Sequence, residues 1–360
     1  MQKMARKPNR GGFSLFDAAA GVCVLAVGVA LAGPVMNRSV KERMGVGSAH
    51  NLKVQGLANS MYSAANADLI ATYTWRGPDF NAGEEYVYYV LPNGNVKRAR
   101  SDFEAAAIQN QAILMEISGR LNGGTQIRTD FNTLVHRRFV HLILQDFMGP
   151  QLSADVFVDP ADANMVDWHA NPLDYNQGSG VPYAPDDLPG DGYDLFETWY
   201  SLPMRQRWAF STSYFTVPAA WNGSNLDFGG VYSPSESSMH LMNNNSSVGH
   251  IQGGNTMSDV LFPSSKVFIH EEYDRRRAVP TNYAYDFARP FKLMFDGSLN
   301  QRASGQANAA VNPWTGELWT QPYVPLDTYP APFGGLGDQT PVNPRYRWTL
   351  NGLSGVDYTP

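Results

Sequence analysis

Gly12-Phe13-Ser14-Leu15-Phe16-Asp17 opens a run that continues from Ala18 to Asn37 without one charged side chain, and this stretch decides how the chain is read. As a helix, the twenty residues from Ala18 to Asn37 span roughly 30 Å, about the hydrocarbon thickness of a bilayer. The first ten residues carry Lys3, Arg6, Lys7 and Arg10 and no acid. A basic flank before the run and a long polar chain after it predict a single-pass segment, N-terminus inside and bulk outside.

Three readings compete for this segment. One is an uncleaved signal anchor. Another is a secretory signal peptide, because Ala30-Leu31-Ala32 fits the small-x-small cleavage rule. The third is a prepilin leader: Gly12 to Asp17, behind a short basic leader, resembles the G-F-T-L-x-E motif of type IV pilins and type II secretion pseudopilins. That resemblance implies that a prepilin peptidase cuts between Gly12 and Phe13 and methylates the new N-terminal Phe13. It also places Pro34 where pilin helices commonly carry a kinking proline. Asp17 separates the readings. An unpaired carboxylate at the start of an apolar core costs several kcal/mol, of order ~3, and a secretory signal offers it no partner. The pilin scheme does, since the acid pairs with the free N-terminal amine of a neighbouring subunit during filament assembly. The family usually has Glu here; Asp is one methylene shorter.

The helical pattern continues beyond the membrane run. Val54, Leu57, Ala58, Met61, Tyr62 and Ala65 fall on one apolar stripe, and Gly45 and Gly47 are expected to loosen the join between the two halves. From Phe13 to about residue 67 the helix is expected to be roughly 80 Å long. Asn51-Leu52-Lys53, Gly56-Leu57-Ala58 and Met61-Tyr62 resemble a stretch common in pilin-like proteins of planctomycete and verrucomicrobial type. Gly28 and Ala32 form a small-xxx-small pair, a weak signal in a run this rich in both residues.

The expected division is therefore a leader (1–12), a transmembrane half-helix (13–37), an amphipathic half-helix (38–68) and an extracytoplasmic domain (69–360). The fold class is α+β: a long N-terminal helix packed on a mostly antiparallel sheet with long loops, pilin-like. Composition agrees with a large folded domain, at 43% hydrophobic and 17% charged over 360 residues. A net charge of −6 argues against a nucleic-acid partner. The single cysteine, Cys23, excludes an intrachain disulfide.

Within the domain, Glu85 to Leu91 reads as a strand closed by Pro92-Asn93-Gly94. Ser101-Asp102-Phe103-Glu104 is a capping box opening a helix with Phe103, Ala107, Leu114, Ile117 and Leu121 inward. A further helix is expected from Leu134 to Phe147; its His136 and His141 are five apart, a poor metal pair, and read as solvated or capping. Trp208 to Val217 and Lys266 to Ile269 read as strands. Phe291 to Asn300 reads as a hairpin around Asp296-Gly297, and resembles a hairpin near the end of the same pseudopilin-like family. Many members carry a histidine ten residues before that Asp-Gly; here the position is Asp286.

Candidate chemistry is sparse. Asp187, Asp191 and Asp194 surround a glycine turn whose oxygens suit calcium, although the EF-hand spacing is incomplete and Asp is ordinary in turns. No other cofactor is expected. His270-Glu271-Glu272 is a candidate acid–base group, with Arg275, Arg276 and Arg277 offering it a surface ion network instead. Trp314, Trp319 and Tyr323 suit either sugar stacking or core cover. No nucleophile elbow, H-E-x-x-H, P-loop or dinucleotide-binding pattern occurs.

Two functional classes follow. The first is a non-enzymatic pseudopilin or pilin-like subunit, minor or tip-like because residues 69–360 are bulky for a repeated subunit. It would sit in a bacterial inner membrane with its domain periplasmic or at the cell surface, its partners being the prepilin peptidase and other pilin-like subunits. The alternative is a membrane-tethered binding or hydrolytic domain acting on an extracellular polymer.

Overall fold

The computed structural model describes the backbone of residues 15–122, 139–148, 155–170, 172–173, 210–221, 233–234, 242–243, 253–277, 279–312, 316–323 and 341–359. Side chains are described from Val40 onward, apart from residues 146, 164, 167, 168, 233, 234, 242, 243 and 322. The chain divides into two units, Met1–Met44 and Gly45–Pro360. Helix α1, Leu15–Ala65, supplies the described part of the first unit and the opening element of the second.

In the second unit α1 ends at a reversal through Ala67 and Asp68, both in the left-handed region (φ 50° and 68°). An antiparallel ribbon follows, β1 (Val87–Val90) on β2 (Val96–Ala99), with Val90 opposite Val96. Gly94, at φ 81°, makes the tight connection. Helix α2 (Asp102–Ser118) starts where its capping sequence places it: the Ser101 side chain accepts from the Glu104 amide at 3.2 Å. Gly119, at φ 67°, ends it. Phe103, Ala107 and Leu114 are buried as expected, with Ile117 and Leu121 packed at the margin.

The main sheet has four antiparallel strands in the order β10-β9-β6-β3: β3 is Tyr214–Thr216, β6 Val267–Glu271, β9 Lys292–Met294 and β10 Leu299–Asn300. Two-residue pairs β4 (Ser233–Pro234) with β5 (Met242–Asn243), and β7 (Tyr273–Asp274) with β8 (Thr281–Asn282), form separate antiparallel ribbons. All five residues of β6 are buried, which is why its sequence does not alternate. Its register on β9 shifts between Val267 and Ile269, leaving Phe268 as the extra residue. The Phe268 ring packs 4.7 Å from that of Phe295.

Several expectations need correction. Among the described residues of the strand expected from Trp208 to Val217, only Tyr214–Thr216 are ladder residues of the sheet. Just before it, the Thr212 hydroxyl bonds the Phe157 carbonyl at 2.6 Å and the Ser213 hydroxyl bonds Asp162 at 2.8 Å, so local side-chain bonds replace the ladder. The helix expected from Leu134 to Phe147 is, where described, a 3-10 stretch Val140–Leu144 followed by the single turn α3, Gln145–Met148. Val140 to Leu144 are all buried, so no polar face exists to make an amphipathic helix. His141 is among them, its ring 4.5 Å from Phe157, and is not solvated. Tyr323 is 1% exposed and belongs to the core, while Trp319 is partly buried.

Candidate functional site

Helix α1 has two faces within the second unit, and the stripe that periodicity selects is split between them: Ala58 and Tyr62 are buried, Leu57 and Met61 exposed. The buried face carries Ser48, Asn51, Leu52, Gln55, Ala58, Asn59, Tyr62 and Ser63. Most are polar, and each polar group meets a fixed partner. Asn51 Nδ2 donates to the Val158 carbonyl at 2.8 Å and Gln55 Nε2 to the Val156 carbonyl at 2.7 Å. Asn59 Oδ1 accepts from the Ala71 amide at 2.9 Å, and the Ser63 hydroxyl donates to the Leu69 carbonyl at 2.7 Å. Satisfied in this way, amide and hydroxyl groups are buried without the cost of an orphaned partner.

Gly45 and Gly47, expected to loosen this helix, instead let its backbone approach neighbouring side chains, and Gly56 does the same against β9. A Cβ at Gly45 would lie 3.0 Å from Arg276 Cδ, one at Gly47 3.0 Å from Pro160, and one at Gly56 2.9 Å from Leu293 Cδ2. Lys53 Nζ adds a 2.5 Å bond to the Gly297 carbonyl at the tip of the β9–β10 turn. The two stretches that carry the pseudopilin resemblance, 51–62 and 291–300, therefore touch each other. The turn itself forms as expected, with Gly297 at φ 78° and Asp296 Oδ1 accepting from the Ser298 amide at 2.8 Å. Asp286, at the family's histidine position, is exposed and pairs with Arg345 at 2.8 Å.

Beneath the helix lies an ionic network. Ser48 Oγ donates to Glu271 Oε1 at 2.5 Å, and Glu271 Oε2 accepts from Arg276 at 2.9 Å and from the Phe291 amide at 2.7 Å. Arg276 also reaches Asp274 at 3.4 Å and lies over the Phe291 ring. Arg275 pairs with Asp162 at 2.6 Å and with Asp159 at 3.5 Å; all three side chains are nearly inaccessible. The expected surface network is therefore a buried one, because β6 and β7 pass through the core before reaching these arginines. Burial, followed by repulsion from Asp159, raises Glu271 to about 7, against the pull of Arg276 and Ser48. Burial lowers Lys292 to about 7. Asp159 is raised by burial, with Arg275 opposing.

His270 points away from this network. Its Nδ1 lies 2.8 Å from the Glu271 carbonyl oxygen and its ring is enclosed by Phe215, Tyr283 and Tyr346. The geometry makes Glu271 a seat for the helix. A shallow depression beside α1 is lined by Ser60, Ser63, Ala64, Asp68 and Met257 and holds no acid–base pair.

The opposite face of α1 is exposed and mixed, with His50, Lys53 and Ser60 beside three large apolar side chains. Val46 is 72% exposed, Leu57 61% and Met61 51%, with half-buried Val54 between them. At these spacings they share one side of the helix, with exposed His50 and Lys53 between Val46 and Leu57.

Gly12 and Phe13 lie outside the described residues, as do Asp187, Asp191, Asp194, His136 and Trp314. Asp17 and Pro34 lie on the helical backbone of α1, where side chains are not described. Among the described residues no helix is long and apolar enough to cross a membrane, and no group of three His, Cys, Asp or Glu side chains could hold a metal. No protein-family model matches the chain, and comparison with curated proteins and with solved structures finds no match.

Proposed function

We propose that the chain is a non-enzymatic, pilin-like subunit, minor or tip-like, of a type II secretion or type IV pilus-like filament. Its leader, residues 1–12, is removed by a prepilin peptidase, and its domain lies outside the inner membrane. The observation that carries this reading is the division of α1 into a largely polar face hydrogen-bonded to the domain and an outer side that leaves Val46, Leu57 and Met61 exposed. Val46, Leu57 and Met61 on the outer side, with His50 and Lys53 among them, suit a mixed contact surface for a neighbouring subunit. Contact of the resemblance-bearing stretches through Gly56–Leu293 and Lys53–Gly297 supports the same reading.

In this scheme Asp17 neutralises the amine of methylated Phe13 on the next subunit, an ion pair in low dielectric that is costly to break. Replacing Asp17 with Ala is expected to leave membrane insertion intact and to abolish incorporation into filaments, read by shearing and fractionation. Unchanged incorporation removes Asp17 from the mechanism.

A further inference from the structure

The C-terminal tail meets the start of the main sheet through a buried amine and a buried carboxyl. Lys266, immediately before β6, places Nζ 3.1 Å from Asp357 Oδ2 and 3.2 Å from Oδ1, with the side chains 0% and 1% exposed. Near-equal distances to the two oxygens make the amine face the carbon between them. The Val267 amide donates to Oδ2 at 2.8 Å. The Thr349 hydroxyl donates to Oδ1 and lies 2.5 Å from Lys266 Nζ, from which it accepts. The amides of Asp357 and Tyr358 both bond the Ser265 carbonyl, at 3.0 and 3.1 Å, which fixes the tail in this register.

An amine, a carboxyl, a donor on one carboxyl oxygen and a hydroxyl bridging amine to the other oxygen are the parts of an amide-forming site. Water exclusion supplies the remaining condition. A charged pair this deep is penalised by desolvation, and burial lowers the affinity of Lys266 for its proton. Transfer of that proton to Asp357 leaves a neutral amine beside a neutral acid.

We propose that Lys266 Nζ and Asp357 Cγ condense into an amide that crosslinks the start of β6 to the C-terminal tail. The Nζ lone pair forms the N–C bond while the carbonyl electron pair moves to Oδ2, where the Val267 N–H stabilises the oxyanion. One Nζ proton passes to Thr349 Oγ1, which gives its own proton to the Oδ1 hydroxyl. Oδ1 leaves as water and the carbonyl re-forms. One amine hydrogen and the carboxyl OH are lost together, with no redox change and no co-reactant. Thr349 ends as it began. The new carbonyl keeps the Val267 bond, so the fold does not rearrange.

Tryptic peptide mapping of the full-length protein, purified from membranes in detergent, tests this. The expected result is an uncut Lys266 and a branched species joining its peptide to the tail peptide 348–360, with the summed mass of the two less one water. Normal cleavage at Lys266, with the tail peptide at its linear mass, overturns the proposal. Thr349→Val is expected to lower the branched fraction at least severalfold, and an unchanged fraction overturns the relay role of Thr349. Because the wild-type digest decides the main point, poor folding of a variant does not obscure it.

Discussion

The Ser48 hydroxyl on α1 and the Glu271 carboxylate at the end of β6 lie 2.5 Å apart across 223 positions of sequence, both buried. Tyr214 of β3 joins them, its hydroxyl 3.0 Å from Ser48 Oγ. Helix and sheet thus meet through a polar contact that holds one orientation of the helix. Hydrophobic burial alone is non-directional and does not select one.

Glu271 gives this seat a pH dependence. Its pKa rises from an ordinary 4.5 to about 7 on folding, so between those values the native state holds a proton that the unfolded chain has released. Stability therefore falls as pH rises through that window. Lys292 falls from 10.5 to about 7, so between pH 7 and 10.5 the unfolded chain holds the extra proton and stability rises again. Denaturant midpoints across this range should pass through a minimum near neutrality. Glu271→Gln should remove the acid-side fall and keep the alkaline rise; an unaltered profile would show that Glu271 is not the titrating group.

Arg275 neutralises Asp159 and Asp162 where no water reaches them. Truncation by Arg275→Ala leaves two buried acids without the guanidinium that pairs with both and should destabilise by about 3–5 kcal/mol. Arg100→Ala, which breaks an i,i+4 pair with Glu104 at the surface, should leave the unfolding midpoint unchanged. Equal effects of the two substitutions would contradict the burial argument.

The outer side of α1 separates folding from assembly. Leu57→Glu and Met61→Glu place charge on positions already exposed to solvent, so each should change stability by no more than about 0.5 kcal/mol. Co-purification with other filament subunits should fall below detection. Loss of folding, or intact assembly, would each count against an interface on this face.

Much of this architecture is legible in the sequence wherever one local rule acts alone. Ser101 and Glu104 announce α2, Asp296-Gly297 announces the β9–β10 turn, and the unbroken apolar character of Val267 to Ile269 announces a buried strand. The face of α1 was misread because periodicity weighs side chains by hydrophobicity, and here Asn51, Gln55 and Asn59 are buried by their hydrogen bonds while Leu57 and Met61 are not. Glycine signals are ambiguous for a similar reason: Gly45 and Gly47 read as a loose join until Arg276 and Pro160 are known to sit on them. Arg275 looks like surface charge because its acidic partners, Asp159 and Asp162, lie more than a hundred residues away. Spacing carries no trace of such pairs; the clustering of three arginines behind an otherwise buried strand was the available hint.

The central claim concerns the N-terminus, and mass spectrometry of the mature chain tests it most directly. Cleavage after Gly12 with a methylated Phe13 at the start is the predicted result. A chain beginning at Gly33, the product of secretory cleavage after Ala32, or one retaining Met1, would contradict it.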